Sequence, residues 1–141
     1  MNATDLTSTI NAMDEDKIEH LLKLLAEVEL TISLAPRTGL MMLTVQDSFG
    51  TDFHLGEILV TEARVLLHGS EGFGMVIGEA PRYALAKAAA DAVLRCPECP
   101  LVKQKLLHLL CREGQTQHQE EMRQAALVAA TTVNFDLMPG A

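Results

Sequence analysis

The chain has 141 residues and a formal net charge of −8; 48% of its residues are hydrophobic and only 4% are aromatic. A chain of this length forms one domain with a sizeable core, so we expect residues 1–141 to be a single, mainly aliphatic domain. The eleven Lys and Arg residues are scattered singly. The composition therefore excludes a nucleic-acid-binding protein, because neither a basic stripe nor a stacking platform is present.

Nothing in the sequence predicts export or a membrane partner. The first residues carry no basic region followed by an apolar run, as a signal peptide would. No uncharged apolar segment approaches the roughly 20 residues that span a bilayer. The three cysteines are an odd number in a chain that is large enough to fold without disulfides. They favour reduced thiols and a cytoplasmic protein.

Two helices are predicted at the N-terminus. Residues 4–12 indicate a short helix with Thr4 as the N-cap. The acidic run 14–16 begins a second, clearer helix, because carboxylates complement the helix dipole at that end. Its core-facing stripe follows helical spacing and consists of Ile18, Leu21, Leu22 and Leu25.

The period of the apolar residues then changes from 3.6 to 2, which predicts strands. Residues 28–34 alternate between apolar and polar side chains, as in a half-buried strand. The sequence 36–39, Pro-Arg-Thr-Gly, predicts a turn. Residues 40–46 then form a second strand, paired to the first. Residues 47–52 are predicted to be a loop.

A β-hairpin followed by a covering helix is predicted at the centre of the chain. Two β-branched, apolar runs, 53–67 and 72–78, are joined by the turn residues 69–72, which is a strong hairpin signal. Pro81 then opens an alanine-rich helix in its preferred first-turn position, and its small side chains would let the backbone lie close to the sheet. Both faces of the first run are largely apolar, so one face could be covered by another chain.

The C-terminal third is predicted to contain two more helices and a β-like tail. Prolines at 97 and 100 interrupt the chain after the alanine-rich helix. One helix would end near Glu113-Gly114, and another would run over 116–130. A tail at 131–135 would offer edge hydrogen bonds to its own sheet or to a partner. The predicted class is α+β: N-terminal helices, an antiparallel sheet with a central hairpin, C-terminal helices on the sheet and a terminal β-like tail.

The cysteine region is the most tempting candidate for a metal site. Cys96-x-x-Cys99 together with His108 and Cys111 would supply a Cys₃His set for tetrahedral zinc. A single Cys-x-x-Cys is weak evidence for such a site. The alternative, which we favour, is that Cys111 is a small buried apolar side chain and that the pair lies in a connecting turn.

The remaining candidates are weaker still. His118 and Glu121 share a helical face, but further ligands are missing, and a solvated polar face explains them better. The glycines at 72, 74 and 78 resemble a dinucleotide fingerprint only loosely, so turn and bulge glycines are the better interpretation. The helix start after Gly78 could hold an anion. Glu57 has no partner for acid–base catalysis. We assign no catalytic, cofactor-binding or metal-binding residue, and we expect no cofactor in this chain.

Five short matches in chain order carry a resemblance to a known family. The matches consist mainly of glycines and apolar residues. In chain order they are Thr38-Gly39-Leu40, Phe53-x-Leu55-Gly56-Glu57-x-Leu59-Val60-Thr61-x-Ala63-x-Val65, Gly72-x-Gly74-x-Val76-x-Gly78, Ala88-x-x-Asp91-Ala92-x-Leu94 and Val133-Asn134-Phe135-x-x-Met138-x-Gly140. From residue 38 to its end, the chain resembles the G subunit of the bacterial carbon–phosphorus lyase core complex, the PhnG family.

The resemblance implies a subunit of the cytoplasmic machinery for phosphonate breakdown, in a two-fold symmetric core with the H, I and J subunits. That core displaces adenine from ATP with methylphosphonate, giving ribose 1-methylphosphonate 5-triphosphate. In that family, the nucleosidase chemistry is attributed to the I subunit and the iron–sulfur radical chemistry to the J subunit. We therefore expect an accessory role in a multisubunit transferase, without catalysis by this chain alone.

Two further functions remain open from the sequence. A stand-alone metal-binding or regulatory module would use Cys96, Cys99, His108 and Cys111 and would lose bound metal on chelation. An independent small-molecule enzyme would turn over substrate without partners. The sequence also leaves open whether the isolated chain self-associates through a surface meant for its partners.

Overall fold

The computed structural model describes residues 2–132 and shows four helices packed with one three-stranded antiparallel sheet. In chain order the elements are α1 Ala3–Asn11, α2 Glu15–Leu25, β1 Thr31–Gln46, β2 Asp52–Leu67, β3 Ser70–Ile77, α3 Pro81–Arg95 and α4 Pro100–Ala130. The predicted α+β class is confirmed. The predicted tail at 131–135 lies mostly outside the described residues.

The two N-terminal helices begin at polar caps. Asp14 caps α2, as its position predicts, and its Oδ1 accepts the Lys17 N–H at 2.9 Å. Helix α1 is capped by Asn2, so the prediction of Thr4 as its N-cap is wrong. The Asn2 side chain accepts the Asp5 N–H at 2.9 Å, and the Asp5 carboxylate accepts the Asn2 N–H at 3.3 Å. This reciprocal capping box satisfies two backbone donors.

Strand β1 is continuous over the segment where a turn is predicted at 36–39, so that prediction is wrong. Proline removes a ladder donor, and strands therefore tolerate it at sheet edges and bulges. Pro36 meets both conditions, because β1 is an edge strand and its register shifts between Leu34 and Arg37. The strand continues in the sheet past this irregularity, to Gln46.

The second half of β1 pairs with the first half of β2, not with residues 28–34 as predicted. The turn between the strands covers residues 47–51, where Asp47 Oδ1 accepts the N–H groups of Phe49 and Thr51 at 2.9 Å each. Gly50 supplies the positive φ of +81° that this turn requires. The result is a long hairpin of two 16-residue strands.

The predicted central hairpin is confirmed, with a shorter turn than expected. β2 and β3 are joined by His68 and Gly69 alone, in place of the predicted turn 69–72. Both residues have positive φ, +47° and +83°, as a two-residue type I′ turn requires. A strand can therefore begin at Ser70, two residues earlier than predicted.

Helix α3 starts at Pro81, as predicted, and lies against one face of the sheet at very short range. Glycines in β3 make this approach possible. A Cβ added at Gly74 would overlap Ala84 O and come within 2.6 Å of Ala88 N. Since real Cβ atoms do not occupy such positions, the helix backbone lies where a side chain would otherwise be.

The core lies between this covered sheet face and the helices. Ala63, Val65 and Leu67 of β2 are fully buried under α3, and α1, α2 and α4 close the far side of α3 with fully buried side chains. Those side chains are Ile10, Ile18, Leu21, Leu106 and Leu110. The opposite face of the sheet has no helix on it within residues 2–132.

Helix α4 is one continuous helix of 31 residues, so the predicted end at Glu113-Gly114 and a separate helix at 116–130 are wrong. One interior glycine costs a helix only about 1 kcal/mol relative to alanine. Contacts on both sides of Gly114 hold the helix in place. Glu113 pairs with Lys17 of α2 at 2.7 Å, and Gln117 donates to Thr9 O of α1 at 3.0 Å.

Candidate interaction surface

The most unusual feature of the molecule is an exposed β-arm formed by residues 39–59. Every residue in it is exposed except Val45 and Ile58, which are half-buried. Eight large apolar side chains are nevertheless among the exposed ones: Leu40, Met41, Met42, Leu43, Phe49, Phe53, Leu55 and Leu59. Leu40 is 67% exposed and Phe49 91%. Apolar surface of this extent marks a binding surface in a protein that remains soluble.

The arm consists of two strands without a third strand or a helix over it among residues 2–132. An isolated two-stranded hairpin is marginally stable at best in water. Side chains on both faces of the arm are apolar, as the alternation of Leu40, Met41, Met42 and Leu43 along one strand shows. The arm therefore gains most from a partner that covers it.

The sheet face that α3 leaves open also carries exposed apolar side chains. Leu66, Phe73 and Ile77 are 40%, 41% and 79% exposed on the side away from α3. The Arg64 guanidinium lies 5.5 Å from the centre of the Phe73 ring, a cation–π arrangement. The prediction that the helices of this chain leave one sheet face to be covered by others agrees with this arrangement.

The second half of α4 also stands clear of the body. All residues from 118 to 130 are exposed, among them Met122, Leu127 and Val128, at 61%, 56% and 66%. At 1.5 Å per residue, these 13 positions extend the helix by about 20 Å. His118 and Glu121 lie on this exposed part, in keeping with a solvated polar helix face.

The structure does not assemble the predicted Cys₃His set. Cys96 is fully buried and its Sγ lies 3.9 Å from that of Cys99, whereas Cys111 is exposed. Within residues 2–132, no three His, Cys, Asp or Glu side chains are grouped as metal ligands. Burial raises the pKa of the Cys99 thiol, and the hydrogen bond from Cys96 adds to this effect. Cys96 and Cys99 lie in the connection between α3 and α4, as the favoured alternative predicts. The other part of that alternative, a buried Cys111, is wrong, because Cys111 lies on the exposed side of α4.

The helix start that could hold an anion is tied to the sheet by Thr61. The buried Thr61 hydroxyl donates to Gly78 O at 2.6 Å and accepts the Ala80 N–H at 3.1 Å. Ala80 is the N-cap residue of α3, so the Thr61 hydroxyl already binds the backbone N–H of that residue. Thr61 positions the helix on the sheet, a structural role that residue type alone does not reveal.

The carboxylates of the arm region are not arranged as a catalytic pair. Glu57 is exposed on the arm, and Glu62 pairs with Arg37 of β1 at 2.7 Å. Arg64 pairs with Glu71 across the β2–β3 hairpin at 3.5 Å. These are cross-strand ion pairs on a surface, and they contribute little to stability.

A groove of about 550 Å³ lies between α2 and α4. Both lysines that line the groove form ion pairs between α4 and the α2 region. Lys17 of α2 pairs with Glu113 of α4 at 2.7 Å, and Lys105 of α4 pairs with Glu27, just after α2, at 2.9 Å. The hydrogen bond to Glu113 raises the pKa of Lys17. These residues join two helices that are about 90 positions apart in the chain, which no local sequence signal predicts.

One buried cation lies at the outer edge of β3. Lys87 of α3 is only 6% exposed, and its Nζ donates to Met75 O at 2.9 Å. Burial lowers the pKa of this lysine. Beside it, Asp91 of α3 accepts the Phe73 N–H at 3.0 Å. Helix α3 thus covers the edge of the sheet as well as one face.

No helix within the described residues is long and apolar enough to cross a membrane. No curated protein matches the chain. The chain does match, over residues 3–140, the family described as "Phosphonate metabolism protein PhnG". This match covers nearly the whole chain and agrees with the resemblance carried by the five short motifs. The chain belongs to the PhnG family and is thereby a protein of phosphonate metabolism, a carbon–phosphorus lyase subunit.

Proposed function

We propose that this chain is an accessory subunit of the carbon–phosphorus lyase core complex, where its arm docks on other subunits. In that complex it assists the formation of ribose 1-methylphosphonate 5-triphosphate from ATP and methylphosphonate, with release of adenine. Its partners are the nucleosidase-type I subunit and the H and J subunits, in the cytoplasm. The chain itself supplies scaffold, and its neighbours supply the catalytic groups.

The observation that carries this proposal is the exposure of the arm. Eight large apolar side chains lie in water on the two-stranded arm, and an isolated hairpin of two strands is marginally stable at best. Burying apolar surface contributes roughly 25 cal/mol per Å². A partner that covers the arm therefore stabilises both the interface and the ribbon itself.

The experiment that tests the proposal is co-expression of this chain with the H, I and J subunits, the I subunit carrying an affinity tag. The wild-type chain is expected to co-purify at a fixed stoichiometry. Replacing Leu40 and Met42 by Glu places two charges in the docking surface and is expected to lower co-purification more than tenfold. Leu101→Glu is the matched control, because Leu101 is also strongly exposed, at 73%, but lies at the start of α4.

The catalytic part of the proposal has its own readout. Adenine release from ATP and methylphosphonate is measured for assemblies with and without this chain. We expect release to fall when the chain is absent or carries the two Glu substitutions. An assembly without the chain that releases adenine at the full rate would show that the chain does not assist this step.

A further inference from the structure

The two edges of the sheet are not equivalent, because α3 closes only the β3 edge. There the Asp91 carboxylate accepts the Phe73 N–H at 3.0 Å, and Lys87 Nζ donates to Met75 O at 2.9 Å. Arg95 holds Asp91 in place at 2.9 Å. Side chains thus occupy two of the backbone groups that an added strand would need.

Among residues 2–132, no side chain protects the β1 edge in this way beyond Arg37. Natural edge strands are guarded by charges, prolines, bulges or short length. Beyond Pro36, β1 continues for ten residues with Arg37 as its single charged residue, and Glu62 holds that guanidinium at 2.7 Å. A long, apolar, unguarded edge is the structure that accepts a strand from another polypeptide.

The hydrogen-bond pattern shows which backbone groups of β1 are involved. Gly78 N–H donates to Leu59 O at 2.8 Å, so the backbone of Leu59 faces β3. Backbone direction alternates along a strand, and the backbone of Ile58 therefore faces β1. Its partner there is Met41, whose own N–H and C=O are directed to β2.

Leu40 and Met42 flank Met41, and the register is regular from Arg37 to Leu43. Alternation therefore directs the N–H and C=O groups of Leu40 and Met42 away from the sheet. No strand within the described residues lies there to receive them.

The charge of the arm indicates the kind of partner. From Arg37 to Glu62 the chain has four carboxylates against one arginine, and the whole chain carries −8. The four carboxylates lie on the turn and on β2, so two arms side by side would bring two negatively charged ribbons close together, which is unfavourable. A strand from a different polypeptide with basic flanks is complementary instead.

We propose that the outer edge of β1 over residues 38–43 accepts an extended strand from a different polypeptide. That strand is apolar at alternate positions and carries Lys or Arg at its flanks. The proposal rests on the proposed function, since it describes how the arm docks on a neighbouring subunit. It adds a fourth strand to the sheet at the one edge that α3 leaves open.

The test compares Leu40→Pro with Leu40→Ala, because both lose the leucine side chain and only proline loses the outward N–H. Each variant is co-expressed with the wild-type chain and the tagged H, I and J assembly, and mass spectrometry gives the ratio of variant to wild type incorporated. We expect the ratio for Leu40→Pro to be at least tenfold below that for Leu40→Ala. Met42→Pro and Met42→Ala form a second pair, used if Leu40→Pro lowers the melting temperature of the free chain.

Equal incorporation of the proline and alanine variants would overturn strand addition while leaving the proposed function intact. Failure of the wild-type chain to enter the assembly would instead overturn the proposed function. The charge argument is tested with Asp52→Asn combined with Glu57→Gln, which is expected to lower incorporation severalfold at low salt. Unchanged incorporation, or an isolated chain that dimerises through the arm in light scattering, would contradict the choice of a basic, different partner.

Discussion

At the scale of single residues, the smallest side chains decide how the sheet and helix meet. Gly72 and Gly74 point towards α3, and a Cβ on either one would overlap backbone atoms of that helix. The alanines of α3 predict a close helix from the sequence alone. The glycines opposite them are equally necessary, but in the sequence they are indistinguishable from turn or bulge glycines.

Replacing Gly74 by Ala tests this close approach. The added methyl group would have to displace the backbone around Ala84 and Ala88, and overpacking of this kind costs about 1–3 kcal/mol. The free energy of unfolding, measured by urea denaturation, is expected to fall accordingly. Gly39→Ala is the control, because nothing lies within 4 Å of a Cβ there. Equal effects of the two substitutions would contradict the packing described for α3.

The buried Lys87 makes a prediction about pH. Its folded-state pKa is lowered by burial from the ordinary value of 10.5. In the window between the two values the unfolded chain binds more protons, so stability from this residue rises with pH. The free energy of unfolding of the wild type minus that of Lys87→Met is therefore expected to increase from neutral pH towards 10.5.

Lys17 and Tyr83, whose pKa values are raised, are present in both proteins. Their contributions to the pH dependence therefore cancel when the unfolding free energy of the variant is subtracted from that of the wild type. A difference that stays constant across this range would show that Lys87 is not held in a dehydrated site.

At the scale of elements, local signals predict where helices begin, and distant contacts decide where elements end. Asp14 and Pro81 start α2 and α3 as their residue types predict. Pro36 and Gly114 are breakers by type, yet β1 and α4 run through them. Pro36 is tolerated because β1 is an edge strand. Contacts from α1 and α2 hold α4 together around Gly114. Neither condition is visible in a short window of sequence.

The start of α2 gives a prediction at this scale. Asp14→Ala removes the acceptor of the Lys17 N–H and is expected to cost about 1 kcal/mol of unfolding free energy. Asp16→Ala makes the same change inside the first turn, where only the dipole contribution of a few tenths of a kcal/mol is lost. Thermal or urea denaturation of both variants decides the matter. A larger loss for Asp16→Ala would mean that Asp14 does not cap the helix.

At the scale of the whole molecule, the chain is a packed body with a β-arm and a helix end that extend from it. The sequence predicts apolar β surface on two faces, and within residues 2–132 the helices cover only one of them. The sequence does not predict the arm, because an arm requires the pairing of 40–46 with 52–59. The strand partner predicted at 28–34 is equally near in the chain, with five residues between the two runs in either pairing, and nothing in the residues themselves distinguishes the two pairings.

The most direct test of the account is hydrogen–deuterium exchange over residues 39–59, measured by mass spectrometry for the isolated chain and for the assembly with the H, I and J subunits. If the arm is the docking element, its amides exchange fast in the isolated chain and are strongly protected in the assembly. The segment 61–67 pairs with β1 on one side and with β3 on the other; it serves as an internal reference and should be protected in both states. An assembly that forms while the arm still exchanges at its free rate would contradict the claim that the arm is the docking element.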